Sequence, residues 1–518
     1  MAQTFKPPAT QRLYDVCVVG SQLGGVVAGA LLARRGLRVL HVAHDDPGFH
    51  YVEHGYVLPF GPAVVPNPRH MPAAEAVLAE LGLTTDFSRA LAPSDPDLQI
   101  LLPRHRVDVS HEPAVLRAEL KREWPKSVEK LEAGFAALSA QFDFAGFFLR
   151  AAPPLPPDGF GERRAVGKAI KLASSAPGAT GVPVDEARPF QGLEDEELVR
   201  SLLAAHRFLT YLDGPASPLS LVRLLGGALR GTNRLPGGLG TLREMVRRRI
   251  AESRGELRGG PGEPAAATGF EIAGGRVEAV RLADSPDAHV ARAFVVATDA
   301  ERLRALLPAD AAAKQAGALG RVRVERQLLS VNLVVKAAAL PPALGDNVLA
   351  LRDAAGGDGL DNAIFLQVLP ARRDARKGPG ERPGEKAPVA DVPDERVVCA
   401  SGYVPASGGA EGLREAAARI REAVADAIPF FERHLVAEST PVLADPARAS
   451  LPPVHPLYAG EADERLGVAA LPVRGPWKNL FFAGREVVPG LGVEGELYAG
   501  IQAAGHVVAL LGRKDVLK

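Results

Sequence analysis

Cysteine, tryptophan and methionine are scarce in this 518-residue chain, with two, two and three copies, and aromatics make up only 5% of it. Two thiols are too few for a disulfide framework. Cys17 and Cys399 both lie in strand-like apolar runs, YDVCVVG and RVVCAS, and read as core thiols. Net charge is also missing. The 61 basic and 61 acidic residues cancel, with a pI near 7.2. That balance points away from nucleic acid and from an electrostatically bound membrane surface. No apolar run is long enough to span a bilayer, and MAQTFKPPATQR is a short polar leader without a signal-peptide core, so the expected compartment is the cytoplasm. Ser-His-Asp, Cys-His and HExxH constellations are lacking. His54 and His70 stand singly, and no metal site is expected. Internal repeats are absent too.

What remains is a long chain with 47% hydrophobic residues, enough for a large core in two interwoven domains. Its most informative stretch is Tyr14 to Ala43, YDVCVVGSQLGGVVAGALLARRGLRVLHVA. An apolar run (Val16 to Val19) stops at Gly20, and a small-residue helix is expected from about Gly24 to Arg35. Gly36 ends it, and Val39 to Val42 form a second buried strand. Such a unit aims unpaired helix N–H groups and a positive dipole end at a pyrophosphate. The GxGxxG spacing falls on Gly20, Gln22 and Gly25. A side chain therefore stands where the middle glycine would let phosphates approach. The acid expected at the end of the second strand falls on Ala43, followed by Asp45 and Asp46.

Further along, residues 71–91, Glu112 to Arg150 and Asp195 to Leu212 carry helical patterns. The second of these ends in the greasy segment FDFAGFFLRAAPPLPP. That segment is expected to be a core helix, with a membrane-contacting lip as the alternative. A glycine turn (Gly237, Gly238, Gly240) opens a helix marked by Leu242, Met245, Val246 and Ile250. A hairpin follows, then a buried strand, Phe294 to Ala297, and Asp299 is expected to cap the next helix. Ala371 to Glu395, charged and rich in Pro and Gly, reads as a mobile surface loop. Near the end, Leu480 to Ala483 form a strand and Gly484 opens a loop. A helix starts near Gly495, with Gly490, Gly492 and Gly495 expected to keep side chains clear of a ligand.

Taken in order, the N-terminal unit, HGYVLPFGPAVV, LPGGLGTLREMV, VVATDAERLRALL and NLFFAGREVVPGLGVEGELYAG resemble the phytoene desaturase-like branch of the FAD-dependent oxidoreductases. That superfamily also holds amine oxidases and the Rab GDI/escort proteins. The resemblance implies an α/β fold: a discontinuous FAD-type Rossmann-like domain (residues 1–70, 216–305 and 466–518) with an inserted α+β substrate domain (71–215 and 306–465). It implies FAD held by Gly20, Ser21, Gln22, Gly24 and Gly25 at one end. At the other end it implies Gly484, Arg485, Gly490, Gly492, Glu494 and Gly495. An N-terminal-turn role for Glu494, favourable to the helix dipole, is the alternative. The family's Gly-Gly-Arg triplet falls on Gly48, Phe49 and His50. Lost contacts at Ala43 and His50 would cost roughly 1–3 kcal/mol each. Gln22 occupies space and is expected to cost more. The resemblance thus implies an oxidoreductase passing hydride from an apolar isoprenoid, carotenoid or lipid to flavin, at a peripheral membrane site if at all. The alternative is a flavin-free homologue that binds a lipid or a protein, and a redox-inactive isomerase is a third option.

Overall fold

The computed structural model describes residues 13–48, 50–176, 182–260, 265–374, 389–445, 455–460 and 466–513. Two sheets organise it. The first has seven strands, and its parallel part runs Glu256–Arg258, Val39–Val42, Tyr14–Val19, His289–Val296 and Leu480–Phe482. Tyr14–Val19 and Val39–Val42 are buried throughout, which is why, Asp15 and His41 apart, these strands read as apolar rather than alternating. The antiparallel hairpin Ala267–Ala273 and Arg276–Leu282 extends the sheet beyond His289–Val296. Strands from the start, middle and end of the chain thus share one sheet. Cys17 and Cys399 are fully buried, and desolvation pushes both thiols up, Cys399 to about 12.

The second sheet has ten strands, centred on Val322–Lys336, Val389–Pro405 and Ala363–Asp374. The hairpin His50–Glu53 and Tyr56–Pro59 joins it through Tyr56 opposite Arg373. Backbone pairing thus ties these residues to the second sheet. The expected loop 371–395 also differs. Its two ends are strand, paired across Ala371–Val392, Arg372–Asp391 and Asp374–Val389, while residues 375–388 lie outside the described residues. Composition marked this stretch as polar and solvated, and an exposed long hairpin has that same composition.

The greasy segment is helix Val128–Arg150. Phe142, Phe144 and Phe148 are buried, and Phe147 alone of this group is substantially exposed, at 40%. It is the core helix that sequence favoured. Among the described residues no helix is long and apolar enough to cross a membrane.

Candidate functional site

The first strand is followed by Gly20, whose φ of 110° suits glycine and where a Cβ would overlap the Ala297 carbonyl. A Cβ on Gly25 would overlap that of Ala297, and one on Gly24 would overlap the Ala483 carbonyl and lie 2.6 Å from that of Glu496. These three glycines let the first helix (Leu23–Arg34) sit directly on the strand ends and on the C-terminal helix (Gly492–Leu510). Packing demands them, whatever else they touch. His41 supports the turn from below, its Nε2–H donating to the Gly20 carbonyl at 3.2 Å. Burial, with a smaller push from Arg247, lowers this ring to about 3, so it is neutral.

Gln22 sits at the N-cap of the first helix with extended backbone and 7% exposure. Its Nε2 donates to Asp299 Oδ1 at 2.9 Å, and its Oε1 accepts from the Arg485 backbone N–H at 2.9 Å. One side chain therefore spans the turns that follow three parallel strands, at the carboxyl end where open α/β sheets bind ligands. A Cβ on Gly484 would overlap Gln22 Oε1, so Gly484 makes room for the glutamine.

The decisive group is Glu496, 1% exposed. Its Oε2 accepts from the Leu23 backbone N–H at 3.1 Å, and its Oε1 accepts from Arg485 Nε at 3.0 Å. A carboxylate from the C-terminal helix thus binds the first N–H of the first helix, where unpaired donors and the dipole favour an anion. Burial alone would lower Arg485, and Glu496, Tyr211, Tyr458 and Asp299 together more than offset it, so the guanidinium is held above its ordinary range. It lies 5.3 Å from the centroid of Tyr211.

Asp299 occupies the N-cap position of helix Ala300–Ala305, as expected, yet its side chain makes no cap bond. It accepts instead from Gln22 and from Tyr458 Oη at 2.6 Å. The cap comes from Glu486, whose Oε2 accepts from Ala300 N–H at 2.9 Å. Burial, then the neighbouring Asp299 charge, pushes Glu486 well above the carboxylate range.

The C-terminal glycines face protein. A Cβ on Gly490 would lie 2.7 Å from Val468 Cα, and on Gly492 and Gly495 it would overlap the carbonyls of Leu209 and Val488. The expectation that they clear space for a ligand meets backbone in all three cases. Glu494, in the first turn of its helix, makes a bidentate pair with Arg223, its Oε1 accepting from Nη2 at 3.1 Å and its Oε2 from Nε at 3.1 Å, both side chains buried.

At the second strand's end, Ala43 is buried and its N–H donates to Arg258 O at 2.9 Å. Asp46 is held by Arg243 at 2.7 Å, and Arg243 also donates to Gly48 O at 2.8 Å. His50 is exposed on its strand, and Phe49 lies outside the described residues.

Both chain ends do meet at one cavity. It is lined by Ser21, Gln22 and Leu23 from one end and Arg485 and Glu496 from the other, with Tyr211, Arg243 and His455 completing the wall. Its volume is about 90 Å³. A second cavity of about 50 Å³ shares Pro62, Ala63, Tyr211, Leu239 and His455 with it and reaches Glu494. His455 donates Nε2–H to Thr210 O at 3.1 Å, and burial lowers it to about 4. Ligand sites commonly measure roughly 300–1,000 Å³. The residues present do not fit the pyrophosphate half of FAD: its helix tip already holds Glu496, and Gln22 fills the approach. Among the described residues no cluster has the His, Cys, Asp and Glu grouping of a metal site.

Glu496, Tyr211, Asp299 as an acceptor, and the Gln22–Arg485 bond were missed in the sequence. A charged residue in the first turns of an otherwise small-residue helix was the available signal for Glu496.

Residues 18–81 match the profile of the NAD(P)-binding Rossmann-like domain family. A search of curated proteins by sequence finds no match. Solved structures similar to the chain include an oxidoreductase from Methanosarcina mazei, with 13% identity and a TM-score of 0.52. It covers 96% of this chain and 100% of its own. Cyclohexylamine oxidase from Brevibacterium oxydans has 17% identity and a TM-score of 0.52, over 97% and 100%. Putrescine oxidase bound to putrescine has 13% identity and a TM-score of 0.54, over 96% and 100%. The chain thus shares the fold of these oxidases.

Proposed function

We propose that this chain is a flavin-independent binding protein on an FAD-oxidoreductase scaffold, its cleft given over to an apolar small molecule or lipid. One observation carries the reading: the Glu496 carboxylate, neutralised by Arg485, sits on the first-helix N–H that a cofactor phosphate would need. A phosphate entering there would have to expel a buried, paired carboxylate, and separating such a pair costs about 3–5 kcal/mol. That is a large share of the roughly 12 kcal/mol in a nanomolar flavin complex. The apolar class of ligand is supported by the lining of the second cavity, where Val64, Met71, Phe208, Leu224, Phe365 and Leu491 stand beside Arg223 and Glu494; at about 50 Å³ that space has to widen to admit a ligand.

The test is the visible spectrum of the purified protein, followed by thermal melting with added FAD. A colourless protein whose melting temperature ignores FAD agrees with the reading. Binding of a fluorescent polyene fatty acid, weakened by Leu224→Trp, checks the ligand class. The second reading is an FAD-dependent oxidoreductase, supported by oxidases of the same fold. It requires Gln22 and Glu496 to swing out, and a yellow protein would favour it.

A further inference from the structure

The neutral overall charge conceals one strongly asymmetric surface. Helix Phe160–Ser174 buries Val166, Ala169, Ile170 and Ala173 against the protein. At 100° per residue, Phe160, Arg164, Lys168, Lys171 and Leu172 fall within a roughly 120° arc on the opposite side. All five are exposed, Phe160 at 82% and Leu172 at 61%. Arg163 is exposed about 60° outside this arc. Among the described residues none of these four cations has an ion-pair partner, whereas the helix's one carboxylate, Glu162, pairs with Arg474 at 2.9 Å. Unpaired cations here are set beside two large apolar side chains that burial elsewhere in the fold would have used.

We infer that this helix face docks on the surface of an anionic lipid bilayer. The charge complementarity selects that occupant. Each cation near a negatively charged membrane surface adds attraction, and Phe160 and Leu172 supply side chains that enter the interface beneath the headgroups. A zwitterionic bilayer offers the apolar side chains a place and the cations nothing. Double-stranded nucleic acid offers the cations phosphates and leaves both apolar side chains in water. The surface is separate from the cleft and independent of what the cleft binds.

Full-length protein is sedimented with vesicles of pure phosphatidylcholine and with vesicles containing about a third phosphatidylserine. Binding to the second and at least about tenfold less to the first is expected, weakening as salt rises. The triple variant Arg164→Gln, Lys168→Gln, Lys171→Gln should lose about tenfold or more of that binding. Phe160→Ser with Leu172→Ser should lose several-fold at unchanged salt dependence. All five side chains are exposed, so unchanged circular dichroism and melting are expected of both variants. Equal binding to both vesicles, binding to neither, or full binding by the triple variant would overturn the inference. So would a duplex DNA that competes the protein off the vesicles while the serine variant binds as well as the parent.

Discussion

The two glycine-rich turns, one at each end of the chain, carry the same lettering and do different work. In the N-terminal turn, Gly20, Gly24 and Gly25 are kept because strand ends and helix press together there. The position that would face a ligand has become Gln22, which ties Asp299 to Arg485. In the C-terminal turn the glycines also meet backbone, and the residue that reaches across is Glu496. A glycine fingerprint therefore records two separable demands, close packing and ligand access. Here the first survives and the second is met from within.

The largest expected effect comes from cutting the bond between the two turns. Arg485→Ala leaves Glu496 buried beside the first helix without its cation and should destabilise by about 3–5 kcal/mol in urea unfolding. A loss under 1 kcal/mol would mean that the helix tip alone holds the carboxylate. Acid should strike the N-terminal turn next. His41 is depressed to about 3 when folded, against about 6.5 unfolded. The unfolded chain binds its proton first as pH falls, so stability is full above pH 6.5 and drains toward pH 3, by about 1.4 kcal/mol per pH unit. His41→Gln should flatten that slope by the same amount between pH 6 and 4; an unaltered slope removes His41 from the account.

Packing effects are smaller. Gly24→Ala pushes a methyl into the Ala483 carbonyl and should cost about 1–3 kcal/mol. Gly505→Ala, in the C-terminal helix and facing open space, should gain about 0.5–1 kcal/mol from helix propensity. If both substitutions prove neutral, the first helix and the C-terminal helix are not pressed together as described.

Much of the fold was legible because Val16–Val19, Phe294–Val296 and Leu480–Phe482 are apolar runs closed by Gly20, Ala297 and Ala483, and because five motif-bearing pieces occur in order. The site was legible only as damage. Gln22 and Ala43 stood out against the spacing, yet nothing local says that a side chain 473 positions away would take the phosphate's place on Leu23. Asp299 misled for the same reason. It has the right type and place for a cap, and the distant Glu486 displaces it while Tyr458 and Gln22 claim its oxygen. The hairpin at 363–405 was hidden by composition, since exposed paired strands and solvated loops use the same polar residues.

The most direct test is an FAD titration of the parent protein beside the double variant Gln22→Gly, Glu496→Ala. Removing both side chains clears the approach and leaves the Leu23 N–H and the Arg485 guanidinium facing it. The parent should show no binding up to about 100 µM FAD, and the folded double variant should bind below that concentration. A parent that purifies with stoichiometric FAD, or a folded double variant that gains none, would contradict the claim that an internal carboxylate has taken the cofactor's place.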